Sequence, residues 1–85
     1  MKVVCAVFDT AVQSFGQPFF VVHRGAAIRS FQDEVNRKAD DNSLYQHPED
    51  YNLHQLAEFD EETGEFKEAS ELLIRGKDAV KAASA

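Results

Sequence analysis

The first residues of this chain to consider for chemistry are its three histidines, its single cysteine and Ser14. His23, His47 and His54 do not stand at metal-ligand spacing, either with one another or with Cys5. Ser14 lacks the Gly-x-Ser-x-Gly context of a hydrolase nucleophile. Glycine-rich phosphate-binding loops are also absent from the sequence. The sequence therefore predicts a protein that is not an enzyme and that holds no metal ion or cofactor.

Carboxylates cluster near the middle of the second half of the chain, without the spacing of a calcium loop: Asp60, Glu61, Glu62, Glu65 and Glu68. A cluster of this kind is usually a solvated surface. Cys5 lies in an apolar run, where a thiol behaves as a small buried hydrophobe. Since the chain has one cysteine, it cannot form an intramolecular disulfide.

Aromatic and basic side chains of the first half could hold a nucleic-acid strand. Those closest in sequence are Phe15, Phe19, Phe20, Arg24, Arg29 and Phe31. Aromatic platforms beside cations hold single strands without sequence preference. The competing interpretation is that these rings fill the core. Because strand side chains alternate, Phe19 and Phe20 cannot both face the same side. Phe15, in a polar loop, is the ring most expected to be exposed.

Charge is divided unevenly along the chain. Residues 1–38 carry five Lys and Arg against three Asp and Glu, a balance of +2. Residues 39–85 carry four against twelve, a balance of −8, and the two halves sum to −6. A nucleic-acid-binding domain usually has a basic surplus. Phosphate contacts are therefore expected from the first half, or from a pairing that places two copies of it side by side.

The hydrophobic pattern predicts an α+β fold, with a small antiparallel sheet of four to five strands and one main helix packed on one face. Strands are predicted over residues 2–8, 19–23 and 51–59, with the helix near 26–38 and a connection over 10–17. Asp60 and Gly64 fit a hairpin on a type I turn, with glycine in the left-handed position. Residues 72–74 fit either an edge strand or a helical turn.

One domain is predicted over residues 1–78, followed by a flexible or weakly helical tail over 79–85. The predicted core consists of Phe8, Val21, Ile28, Phe31, Val35, Leu53, Phe59 and Phe66. A small core, an edge strand and many phenylalanines predict a homodimer. Apolar runs are too short for the ~18 residues of a membrane span, and a signal-peptide pattern is absent, so we expect an intracellular protein.

Four segments are distinctive by their order and spacing: DTAVQSFGQPFFV, RGAAIRSFQDEVNR, HPEDYNLHQLAEFDEETGEF and LLIRGKD. Together they resemble the small non-structural protein of gokushovirus-type microviruses, which are single-stranded-DNA bacteriophages. The resemblance extends to about Asp78. It implies a DNA-binding protein of the host bacterial cytoplasm, outside the virion, that acts in genome replication. That family offers no catalytic residues to transfer.

We therefore predict weak, largely sequence-independent binding of single-stranded DNA. The contacts are expected from basic side chains on or beside the helix, from the first strand and from one exposed ring: Lys2, Phe15, Arg24, Arg29, Arg37 and Lys38. The alternative is an interaction module whose acidic second half docks onto a basic viral or host replication protein and regulates it without binding DNA.

Overall fold

The computed structural model describes residues 1–81 and has one antiparallel sheet with helices on one side. The strands are β1 (Lys2–Asp9), β2 (Ser14–Phe15), β3 (Phe19–Val21), β4 (Tyr51–Phe59) and β5 (Phe66–Arg75). The helices are α1 (Arg24–Val35), α2 (Ser43–Gln46) and α3 (Gly76–Ala79), with a 3-10 turn at Pro48–Asp50. The predicted α+β fold is confirmed.

β1 is the central strand of the sheet. It pairs with β4 along its whole length, and on its other side with β3 near its start and β2 near its end. β5 pairs with β4 and forms the long outer edge. The apolar run of β1 suits this position, since Val4, Cys5 and Ala6 are all buried.

Helix α1 covers one face of the sheet with an apolar stripe at four-residue spacing. Ala27, Phe31 and Val35 are buried against Cys5 and Leu53. The helix begins at Arg24, two residues before its predicted start, because the Nδ1 atom of His23 accepts a hydrogen bond from the Gly25 N–H and caps it. Strand β3, which was predicted over residues 19–23, therefore ends at Val21 rather than at His23.

Two asparagines end α1 and hold the following segments against it. The Asn36 side chain donates to the carbonyls of Gln32 and Ala79 and accepts from the Lys81 N–H. Asn42, 4% exposed, donates to the carbonyls of Glu34 and Arg37. The Arg37 N–H bonds to the Glu34 carbonyl at a spacing of three residues, and Asn42 satisfies the Glu34 and Arg37 carbonyls, so α1 ends at Val35 rather than at residue 38.

The predicted core is confirmed where it faces α1 and is wrong at the hairpin. Phe31, Val35 and Leu53 are buried, and Val21 and Ile28 are half-buried against them. Phe66 is 61% exposed, because it pairs with Phe59 on the side of the sheet that faces away from α1. Phe8 and Phe59 are half-buried on that same side.

Three further expectations concern shorter segments. Ser14 and Phe15, predicted in a connection, form β2 because they pair with Asp9 and Phe8. Residues 72–74 belong to strand β5. At the predicted tail, Ala79 is buried at the end of α3, whereas residues 82–85 lie outside the described residues. The helices within residues 1–81 are too short and too polar to span a membrane.

Candidate nucleic-acid interface

The side of the sheet opposite α1 is uncovered by helices of the described chain, and we call it the open face. Residues that pair directly across antiparallel strands point to the same side, so the register defines its members. From one end to the other, the open face has four cross-strand rows: Phe15–Phe8–Asn52–Arg75, Ala6–His54–Leu72, Phe20–Val4–Ala57–Glu68 and Lys2–Phe59–Phe66.

Three rings at one end of the open face form the Phe15 cluster, which consists of Phe8, Phe15 and His54. The ring centroids of Phe8 and Phe15 are 4.8 Å apart, and those of Phe15 and His54 are 5.4 Å apart, both edge to face. Phe15 is 46% exposed, as the sequence predicted for this ring. The cluster therefore fixes one ring in place while leaving part of its surface open.

The opposite end carries the Phe66 cluster, which consists of Phe20, Phe59 and Phe66. Its centroids are 4.8 Å apart for Phe59 and Phe66 and 5.5 Å apart for Phe20 and Phe59. Phe20 is 51% exposed and Phe66 61% exposed. Phe19 lies against the core, so the two adjacent rings do face opposite sides of the sheet.

An apolar floor joins the two clusters. Val4 and Ala6 are buried beneath their neighbours, and Leu72 is 41% exposed beside His54. Single exposed apolar side chains are ordinary on a protein surface, whereas a contiguous patch marks a binding surface. The exposed apolar side chains of the open face, Phe15, Leu72, Phe20 and Phe66, occupy four successive rows, which makes this face a candidate binding surface.

Charge on the open face differs in sign from that of the whole chain. Its rows contain the cations Lys2 and Arg75 and the anion Glu68, a balance of +1, against −6 for the protein. Lys2 shares a row with two rings of the Phe66 cluster, and Arg75 shares a row with two rings of the Phe15 cluster. Each cluster thus has a cation in its own row.

The structure places only two of the six predicted contact residues on the open face, Lys2 and Phe15, and they lie at opposite ends of it. The other four lie on or just after α1, which covers the opposite side of the sheet: Arg24, Arg29, Arg37 and Lys38.

Two of these helix-side cations are paired with carboxylates. Arg24 lies 3.0 Å from a carboxylate oxygen of Glu71. Arg37 donates two hydrogen bonds to Glu34, and these bonds hold the pKa of the Glu34 carboxyl below its ordinary value. Arg29 and Lys38 are exposed, and neither forms an ion pair within residues 1–81. They are therefore two exposed cations on the helix side of the sheet, separate from the rings.

Sequence reasoning missed Arg75, Phe59 and Phe66 as candidate contacts. The signal for the two rings was the hairpin. Asp60 N–H donates to the Glu65 carbonyl, and Gly64 takes φ 78°, so the turn closes directly between Phe59 and Phe66. The pairing of β1 with β3 and β4 then places both rings on the side of Phe20.

Acidic side chains border the Phe66 cluster at the hairpin tip, which comprises Asp60, Glu61, Glu62 and Glu65. A hydrogen bond from the Met1 ammonium, 2.9 Å away, lowers the pKa of Glu61. The Glu62 backbone N–H, which donates to the Asp60 carboxylate, lowers the pKa of that group. Both effects favour the charged forms of Asp60 and Glu61, next to the Phe66 cluster.

His47, Glu49 and Asp50 bring one potential metal-ligand atom each within 4.8 Å of one another. His47 and Glu49 are exposed, and Asp50 is half-buried. The Nδ1 atom of His47 lies 3.9 Å from Glu49, which is the geometry of an ordinary surface pair. We assign no metal to this group.

Comparison with known proteins gives one match. A family model described as "Phage ORF5 protein" matches residues 2–79. No curated protein and no solved structure matches the chain. The matched region contains all five strands and all three helices, and hence every residue of the open face.

Proposed function

The chain belongs to the phage ORF5 protein family, and from that premise we propose that it binds single-stranded DNA through the open face, without sequence preference. The binding would serve replication of a single-stranded phage genome in the host bacterial cytoplasm, by a protein outside the virion. The resemblance of its sequence segments to the gokushovirus-type non-structural protein supports this biological setting.

The observation that carries the proposal is the pair of exposed aromatic clusters on one uncovered sheet face. Every base has a π-face, so stacking on a protein ring tolerates any sequence and contributes about 1–3 kcal/mol per base. Phe15, Phe20 and Phe66 keep roughly half of their surface accessible while neighbouring rings hold them in place. A ring held in this way loses little conformational entropy when a base stacks on it.

The dimensions of the open face suit a few nucleotides. Four rows span about 20 Å along the strands, and four strand positions span about 15 Å across them. Exposed rings lie at both ends of this area, Phe15 in the first row and Phe66 in the last. A flexible strand that stacks a few bases needs no larger surface.

Charge limits how tightly DNA can bind. The open face has a local balance of +1, but the protein carries −6, so long-range electrostatics oppose the approach of a polyanion. We expect weak binding that is measurable at low salt. Affinity should fall as salt rises, with about 0.7 counterion released per phosphate contact on a single strand.

Fluorescence anisotropy with labelled oligonucleotides tests the proposal. Single-stranded DNA should bind at low salt, whereas a duplex of the same sequence should bind much more weakly, because its bases are stacked and unavailable to the rings. Absence of single-strand binding at high protein concentration and low salt would overturn the proposal.

A matched pair of double variants tests which cations contact phosphate. Lys2→Gln with Arg75→Gln should weaken binding and reduce the salt slope by about 1.4, since two contacts at about 0.7 each are lost. Arg29→Gln with Lys38→Gln also removes two positive charges, but from the helix side, so this variant controls for net charge. If the helix-side pair flattens the slope and the open-face pair does not, DNA binds at α1 instead.

A second candidate function is regulation of a basic viral or host replication protein. The acidic hairpin tip favours it, because complementary charge speeds encounter and fixes register. A pull-down from infected cells, compared with one in which the four tip carboxylates are replaced by amides, should then lose a partner in the variant.

Formation of a homodimer stays a prediction. The ten-residue strand β5 supports it, because its outer edge has no strand partner within residues 1–81.

A further inference from the structure

We propose that one DNA strand spans both aromatic clusters at once, so that the ligand is a single-stranded segment of several nucleotides rather than a single base. This inference rests on the proposed function and specifies the substrate of the same site. It follows from the spacing of the clusters, the floor between them and the charges at each end.

The spacing sets the minimum length. Phe8 of the Phe15 cluster and Lys2, in the row of Phe66, are six residues apart on β1, which corresponds to about 20 Å of strand. Bases that stack on protein rings do not stack on one another, so each nucleotide advances by more than the about 3.4 Å of a stacked strand and fewer than about six bridge this distance. A segment of about two nucleotides is too short to contact Phe15 and Phe66 together.

The floor allows the strand to cross. The two middle rows contain Ala6, Val4 and Leu72 beside one ring of each cluster, His54 and Phe20, and their only charge is Glu68, at the outer strand. Cations stand at the two ends, Arg75 in the row of Phe15 and Lys2 in the row of Phe66. Phosphates at both ends of a bridging segment therefore meet positive charge.

The acidic hairpin tip limits the maximum useful length. Asp60 and Glu65 follow Phe59 and precede Phe66 directly, so a strand that continues past the Phe66 cluster meets carboxylates. Repulsion there gives no gain from further nucleotides. The affinity should thus rise once with length and then level off.

Oligothymidylates of increasing length test the inference by anisotropy or by competition at fixed low salt. A segment of about eight nucleotides should bind roughly 100-fold more tightly than one of about two, because the second stacking event becomes intramolecular. Longer segments should add only the small statistical gain from more binding positions.

Single-cluster variants make the result specific to the bridge. Phe15→Ala and Phe66→Ala should each reduce the affinity for the longer segment to nearly that of the short one. Each should leave short-segment binding within a few-fold, because the other cluster remains. Phe66→Leu keeps an apolar side chain without the ring and should behave like Phe66→Ala, which separates stacking from a loss of folding.

The outcomes separate the two proposals. If single strands bind but affinity grows only with the number of positions, the bridge is wrong and the proposed function stands. If the length step survives both single-cluster variants, the bridge is also wrong. If no length binds, both proposals fail.

Discussion

Phe31→Ala is expected to lower the free energy of unfolding by about 3–5 kcal/mol, the cost of emptying an aromatic site in a packed core. The Phe31 side chain is 4% exposed and lies at the centre of the α1 stripe, against Cys5 and Leu53. A domain of 85 residues has a total stability of about 4–13 kcal/mol, so this loss leaves little. Urea denaturation followed by circular dichroism measures the change.

Phe20→Ala is the matched control, because it removes the same type of side chain, a phenylalanine ring, from the open face. Phe20 is 51% exposed, so its loss should cost about 1 kcal/mol or less. Equal costs at the two positions would show that α1 does not cover the face of the sheet that contains Cys5 and Leu53.

Phe15→Ala combined with Phe66→Ala is expected to lower the affinity for single-stranded DNA by about 100-fold or more. Each ring contributes about 1–3 kcal/mol of stacking, and each 1.4 kcal/mol is a factor of ten. Both side chains are largely exposed, so the double variant should keep its fold and its unfolding midpoint within a small shift. Anisotropy at low salt measures the affinity.

Val80→Ala controls for the loss of exposed apolar surface in general. Val80 is 48% exposed, follows α3 and belongs to neither cluster. Its replacement should leave DNA binding unchanged. If the double variant binds as well as the wild type, the rings do not hold bases, and the open face loses its assigned role.

The sequence predicted the sheet and the helix because their apolar periods are clear. Strand β4 was predicted over residues 51–59 and occupies Tyr51–Phe59, where Leu53 and Gln55 are buried on one side. The end of α1 was harder to predict. Asn36 and Asn42 end the helix through bonds to distant or later segments, which no local pattern in the chain reveals.

The candidate interface could be predicted only in part. Phe15 follows from its polar surroundings, and Lys2 follows from its position at the start of β1. Phe66 required only the hairpin that pairs it with Phe59, whereas Arg75 required the full pairing of β5 with β4, including two register shifts that alter which side chains share a face. The cations of α1 looked suitable because they are close to the rings in sequence. The sheet nevertheless separates them from the rings, since α1 covers one face of the sheet and the rings lie on the other.

Backbone amide shifts, recorded as unlabelled single-stranded DNA is added to isotope-labelled protein at low salt, test the central claim most directly. The account predicts the largest changes in the four rows of the open face, especially at Phe15, Phe20, Phe66 and Leu72, with α1 little affected. Changes concentrated at Arg29, Arg37 and Lys38, or no changes at high DNA concentration, would contradict it.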